Sequence, residues 1–368
     1  MAHALALDDC TGTPGRGCPR CERLPAPLPA HGALWLAFPV IHVRRKAERV
    51  FERMGIRVTA HPEDVVAAAV EPARADEVAA ALAGELSDVE RRDTRALFLA
   101  PGITPTPSDL ARVTSLGQLL ADREAHWLRA LLDEGRLTAH FQPVVSTADG
   151  TVIGHEALAR GTDPSGALIP PGRLFGAARD AGLLFQLDLA TRRRAVQRAH
   201  DLGLDGLVLV NFTPSSIYDP ETCLRSTVAA VDAAGFAHDR IVFEIVETEQ
   251  LNDTGQLRRI LSFYRDAGFR VALDDIGSGY SSLNVLHQLR PDFLKLDMEL
   301  VRNVHMDPFK ATIAAKLLEI AQALDITAIA EGIESAEELA WVATHGAMYA
   351  QGYFLGRPAA DPRTGVMR

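Results

Sequence analysis

The sequence predicts an α/β protein: a (β/α)8 TIM-like barrel with an antiparallel first strand, preceded by a small α/β N-terminal domain. Three observations carry this. From residue 137 onward, short apolar runs alternate with helix-patterned stretches: LTAHFQPVVS, TVIGHEALAR, GLVLVNF, IVFEIVE, RVALDD, DFLKLD, TAIAEG and AMYAQG. Eight such strands in about 225 residues suit one barrel. Ala148-Asp149-Gly150, between the first two, is a hairpin signal, so those strands run antiparallel.

Composition narrows the class. With 47% hydrophobic and 23% charged residues among 368, the chain reads as a soluble globular protein. Its longest apolar stretch, ALWLAFPVIHV at 33–43, is too short to span a bilayer, and MAHALAL has no basic region before it. A cytoplasmic location without membrane association is therefore expected. The net charge of −10 argues against polymeric nucleic acid as a partner. A small anionic ligand would need bound metals or a few arginines to offset that charge.

Residues 1–30 are rich in Pro, Gly and Arg and carry no periodicity, which predicts a flexible segment. Residues 31–106 read as a small α/β regulatory domain: strand-like ALWLAFPVI, helical VRRKAERVFERMG, the run IRVTA, helical ADEVAAALAGELSDVERRD and strand-like RALFLAP. Residues 107–136 have apolar residues at helical spacing and are expected to form a helical linker to the barrel at 137–362.

The stretch VALDDIGSGYSSL at 271–283 puts two adjacent acids where an apolar strand gives way to glycine-rich loop. Neighbouring strand residues point to opposite faces, so Asp274 and Asp275 can serve one metal site only if the strand ends there; otherwise Asp275 caps the next helix. Polar residues recur at the C-terminal ends of the other runs: Glu156, Asn211, Glu244, Lys295, Glu331 and Gln351. In a barrel these ends share one mouth. Glu244 interrupts an otherwise apolar strand and needs a cation there. Glu156, Glu244, Asp274, Asp275 and Glu331 around Lys295 would repel one another unless divalent ions bound. Oxygen-rich ligation favours Mg²⁺ or Mn²⁺ over zinc.

These residues lie in EAL (156–158), NFTP (211–214), FEIVETE (243–249), DDIGSGYSSL (274–283), KLD (295–297), AEGIE (330–334) and AQGYFLGRP (350–358). Over about residues 137–360 the chain resembles the EAL-domain cyclic di-GMP phosphodiesterases, with seven motifs in family order. The resemblance implies hydrolysis of one phosphodiester bond of cyclic di-GMP to give linear pGpG. It implies that Glu156, Asn211, Glu244 and Asp274 hold one of two Mg²⁺ or Mn²⁺ ions, and Asp274, Asp275 and Glu331 the other. Lys295 would hydrogen-bond the attacking water, with Glu331 and Glu156 also in the catalytic set. Gln142 of the FQP segment, Arg160, Gln351 and Asp297 would contact substrate or lie beside the water. Glu247, Ser278 and Glu334 would steady the loop after Asp275. The family also implies a homodimer.

Three positions depart from the family pattern: Ile276 and Ser278, where IGSGYSS replaces the more frequent FGTGYSS, and Gly161, which follows Arg160 where a bulky aromatic is common. Every metal ligand is nevertheless present, which favours an active enzyme over a catalytically silent cyclic di-GMP receptor. FQP and EALAR count against an unrelated metal-dependent barrel hydrolase. Four cysteines make no disulfide framework. Cys10, Cys18 and Cys21 could hold zinc, with His31 or His3 as fourth ligand, or an iron–sulfur centre; surface thiols are the alternative. Cys223 is expected as buried packing.

Overall fold

The computed structural model describes residues 23–24, 32–217, 219–246, 254–277 and 282–366. Cys10, Cys18, Cys21, His3, His31, Glu247 and Ser278 lie outside them. The chain divides into two compact units, residues 24–134 with 172–184, and residues 135–171 with 185–368.

In the first unit the order is β1 (Gly32–Ala37), α1 (Ile41–Arg53), β2 (Val58–His61), β3 (Val65–Val70), α2 (Ala75–Glu85), α3 (Asp88–Asp93), β4 (Arg95–Leu99), β5 (Thr114–Ser115), α4 (Leu116–Glu124) and α5 (His126–Asp133). The antiparallel sheet runs β2-β3-β1-β4-β5, a split βαβ arrangement with one added strand. Strand alternation buries Leu34 and Leu36 of β1 and Val66 and Ala68 of β3. Against them pack Val43, Ala47, Val50 and Phe51, one stripe of α1, and Val78 and Leu82 of α2. Leu116, Leu119 and Leu120 of α4 complete this core. The segment expected as a linker thus supplies a strand and a core helix here, because its apolar residues find their complement on α2 and β4.

From residue 135 the elements in chain order are β6 (Leu137–Ser146), β7 (Val152–Thr162), β8 (Leu168–Ile169), α6 (Pro171–Ala181, which beyond Pro171 belongs to the first unit), α7 (Leu184–Asp201), β9 (Leu207–Asn211), α8 (Pro220–Cys223), α9 (Arg225–Ala233), β10 (Ile241–Val246), α10 (Thr254–Asp266), β11 (Arg270–Ile276), α11 (Ser282–Leu289), β12 (Phe293–Leu296), α12 (Met298–Val301), α13 (Pro308–Ala323), β13 (Thr327–Ala330), α14 (Ala336–Thr344) and β14 (Tyr349–Ala350). The sheet order β6-β14-β13-β12-β11-β10-β9-β7, closed by β6 on β7, is an eight-stranded barrel. β6 is antiparallel to both neighbours and the remaining barrel pairs are parallel, as the hairpin signal requires. Cys223 is buried and packs in the outer core. Among the described residues no helix is long and apolar enough to cross a membrane.

The strand period of two sorts the barrel into an outer and an inner set. Outward residues such as Phe243, Ile245, Val271, Leu273, Leu294 and Leu296 meet the helices. Inward residues Val144, Leu209, Val242, Ala272, Phe293 and Ile329 form a closed apolar layer across the barrel. The next inward position on each of those strands, two residues towards the mouth, is Gln142, Asn211, Glu244, Asp274, Lys295 or Glu331. A dry floor therefore underlies the polar layer.

Candidate active site and metal centre

The pairings fix which groups meet. Gln142 lies opposite Glu156 across the β6–β7 hairpin, and Glu244 opposite Asn211 across β9 and β10. Lys295, 1% exposed, sits at the centre. Its Nζ is 2.6 Å from Glu331 Oε1, 2.7 Å from Glu244 Oε1, 3.0 Å from Asp274 Oδ1 and 3.7 Å from Glu156 Oε2. Asn211 Nδ2 donates to Glu156 Oε1 (2.9 Å) and Glu244 Oε2 (3.1 Å). Gln351 Nε2 donates to Glu156 Oε2 (2.7 Å) and Gln142 Oε1 (3.1 Å), and Gln142 Nε2 to the Gly356 carbonyl (3.1 Å).

Asp275 needs a separate device. By alternation it would point out of the barrel, but its φ is 57° and the β11–β12 register shifts between Leu273 and Ile276. This left-handed bulge re-aims the side chain, so oxygens of Asp274, Asp275 and Glu331 lie within 4.8 Å of one another. Both adjacent acids thus bring their oxygens together while the strand continues to Ile276. Gly277 follows at φ 109°, where a Cβ would meet Leu300 Cδ1 at 2.1 Å.

Of the remaining expected residues, Arg160 lies on β7 two inward positions beyond Glu156, with Nη1 donating to the Ala159 carbonyl (2.8 Å). Burial lowers its pKa. Asp297 is 7% exposed and caps α12, accepting from the Glu299 amide at 2.7 Å. Glu334 pairs with Arg302. Sequence reasoning passed over Arg302, and also Asp188 and Arg192 of α7, which lie buried behind the loop that follows Asn211.

The layer carries more negative charge than its lysine balances. Burial drives Glu244, Asp274 and Glu331 above the ordinary carboxylate range despite Lys295, and neighbouring carboxylates push the same way. Asp275 is raised to about 6, by burial and by Asp274. Glu156 alone ends below its usual value, because Lys295, Gln351 and Asn211 outweigh its burial. Lys295 is raised well above its ordinary range, its carboxylates overcoming burial. Gln351 Oε1 is buried with no hydrogen-bond partner. An acidic, oxygen-only cluster with a spare buried acceptor fits hard divalent cations, which Glu156, Asn211, Glu244, Asp274, Asp275 and Glu331 could hold.

A pH dependence follows. Asp275, Glu244, Asp274 and Glu331 have folded pKa values above their unfolded ones, so the metal-free fold binds more protons than the unfolded chain. The contribution of Asp275 to stability must fall as pH rises from about 4 through about 6, and those of Glu244, Asp274 and Glu331 change in the same direction. Cations compete with those protons, so Mn²⁺ affinity should rise by about tenfold per pH unit for each proton displaced. Mn²⁺ titrations between pH 5 and 7, with thermal unfolding in chelator, measure both; affinity independent of pH would contradict the charge excess.

The acidic polar layer lies at the mouth formed by the C-terminal ends of the parallel strands, where the sites of such barrels are found. Residues 125–358 match the EAL domain, and the chain belongs to that family. It is 32% identical over 235 residues to the probable cyclic di-GMP phosphodiesterase PdeG of Escherichia coli, covering 63% of this chain and 46% of that protein. It is also 32% identical over 235 residues to the cyclic di-GMP phosphodiesterase NbdA of Pseudomonas aeruginosa, covering 63% of this chain and 30% of that protein. The chain thus spans less than half the length of these two relatives. A standalone EAL protein from Vibrio cholerae, solved with c-di-GMP bound, is 35% identical, with a TM-score of 0.57 over 62% of this chain and 95% of that one.

Proposed function

We propose that this chain is a metal-dependent phosphodiesterase that opens cyclic di-GMP to linear pGpG. The observation that carries the reading is the polar layer: Asn211, Glu244, Asp274, Lys295 and Glu331 stand above one dry floor, Glu156 joins them from β7, and the bulge turns Asp275 towards them. Two Mg²⁺ or Mn²⁺ ions, when bound, would supply charge neutralisation at the phosphate and acidify the attacking water.

The protein's own groups do the remaining work. Asn211 and Gln351 spend their amide protons on Glu156, which keeps that carboxylate ionised and oriented for ligation. Lys295, cationic throughout, offers N–H donors beside Glu331 and Asp274, where a water can be oriented for in-line attack. Glu331 lies 2.6 Å from that ammonium and can take the water's proton. Arg160, above Glu156 on the same strand face, suits a phosphate oxygen. Gln142, held by Gly356 and Gln351, suits a guanine edge.

The test is incubation of purified protein with cyclic di-GMP and Mg²⁺ or Mn²⁺, with products resolved by chromatography. Conversion to pGpG that stops with chelator is expected, and Ca²⁺ should support it poorly because its longer, looser bonds misplace the water. Binding without turnover in either metal would favour the silent-receptor reading. We propose that the homodimer uses the exposed apolar side chains at and just before the start of α13, Met306 (75%), Phe309 (81%) and Ile313 (50%). Light scattering of the same preparation tests it, a monomer at full specific activity removing the dimer from the mechanism.

A further inference from the structure

We infer that Arg302 is a positioning residue for Glu331, bracing the loop after β13 and thereby setting the affinity of the site for divalent metal. The inference rests on the metal reading of the site given above. Residues 331–335 follow β13 and begin with Glu331, whose carboxylate lies with those of Asp274 and Asp275. Backbone bonds hold the loop to its neighbours, from the Glu331 amide to the Leu296 carbonyl (3.0 Å) and from the Ile333 amide to the Gln351 carbonyl (3.0 Å). Gly332 between them has φ 68°, and a Cβ there would lie 2.3 Å from Met298 Cβ on α12. The loop is therefore pressed against α12 with no room to repack on that side.

Arg302 closes this contact. It stands one residue beyond α12, and one guanidinium nitrogen, Nη2, donates to the Gly332 carbonyl at 3.2 Å. The other, Nη1, pairs with Glu334 at the far end of the loop. Nε faces Glu338 Oε1 at 3.7 Å. Glu338, 2% exposed on α14, ties the same two segments through backbone donors: Asn303 N (2.8 Å) on one side, Glu334 N (2.8 Å) and Ser335 N (3.2 Å) on the other. Asn303 adopts φ 56°, so this junction is held by the cross-brace in a conformation that few side chains favour. Lys310 Nζ binds the Arg302 carbonyl at 3.1 Å, joining the brace to α13.

A planar fork spanning a carbonyl and a carboxylate on one loop fixes that loop in two directions, which a lysine cannot reproduce. Without it, Glu331 would lose its register with Asp274 and Asp275, and metal affinity depends on such outer supports by about 10- to 100-fold. Among the described residues, the side chain of Arg302 pairs with Gly332, Glu334 and Glu338, none of them in the polar layer. Its loss should therefore raise the metal concentration needed for half-maximal activity while leaving kcat at saturating metal largely intact.

The experiment is Mn²⁺ binding to the full chain, without substrate, followed by electron paramagnetic resonance of the free ion. Arg302→Met should bind Mn²⁺ at least about tenfold more weakly than wild type, and Arg302→Lys should recover only part of the loss. Thermal unfolding in chelator shows whether the variants remain folded. If Arg302→Met does not fold, Glu334→Gln removes the same ion pair from the exposed side and should show the same direction of change. Titrations of the folded variants that superimpose on wild type overturn the inference. Wild-type protein that takes up no Mn²⁺ overturns the metal reading itself, and this inference with it.

Discussion

Lys295→Ala is expected to lower turnover by about a thousandfold, within the range for a positioned proton-transfer or charge-stabilising group. The ammonium lies within 3.0 Å of Glu331, Glu244 and Asp274, so its removal takes away both the donor for the attacking water and the internal counter-charge. Five carboxylates then share one mouth with no lysine among them, and the metal-free protein should unfold at lower temperature, with added Mn²⁺ restoring part of the difference. Glu156→Ala and Asp274→Ala should each remove most turnover as well. Their costs should not add to that of Lys295→Ala, because all three serve the same water and the same cations. Steady-state rates at saturating Mg²⁺ for the three single variants and one double variant provide the measurement. Near wild-type rates in all three would remove the catalytic assignment.

Most of the barrel was legible because its signals are local. On β9 to β13 an inward apolar residue is followed two residues later by a polar one, as in Val242–Glu244, Ala272–Asp274 and Ile329–Glu331, and a polar group at that spacing stands out against apolar neighbours. Asp275 was legible only as a question. Whether it shares the face of Asp274 depends on a left-handed bulge, and Asp is among the residues that tolerate that conformation without announcing it. In the small unit, β3 was not recognised: VVAAAV is too alanine-rich to read as a strand, and its place between β1 and β2 comes from pairing across the sheet. β5 is two residues long and carries no period at all, so the segment around it read as a linker. Asp188 and Arg192 sit four apart on α7, the spacing of an ordinary surface pair, and only the tertiary fold shows that they are buried.

That buried pair leads to the second large effect. Asp188 and Arg192 are 1% and 2% exposed, with Asp188 Oδ2 and an Arg192 nitrogen 3.0 Å apart. Arg192 also donates to Thr227 Oγ1 (3.2 Å) and to Tyr264 OH (3.1 Å), and Tyr264 stacks on Phe243 of β10 with ring centroids 3.9 Å apart. Burial pushes the Tyr264 hydroxyl up to about 12, so it stays neutral beside the guanidinium. On the other side Asp188 accepts from the Thr213 amide (2.8 Å) and from Ser216 Oγ (2.8 Å), the turn directly after Asn211. Asp188→Ala would leave a guanidinium without its carboxylate in the outer core, and should cost about 3–5 kcal/mol of stability. The Asp188→Ala/Arg192→Met double variant leaves no isolated charge and should lose less than the sum of the single variants. With Thr213 and Ser216 released, Asn211 loses the support of its following turn, and Mn²⁺ affinity should fall alongside stability. Urea unfolding of the two single variants and the double variant decides the matter: a shift in Asp188→Ala of less than about 1 kcal/mol would mean that water or a rearranged partner replaces the carboxylate, and that the turn after Asn211 does not depend on it.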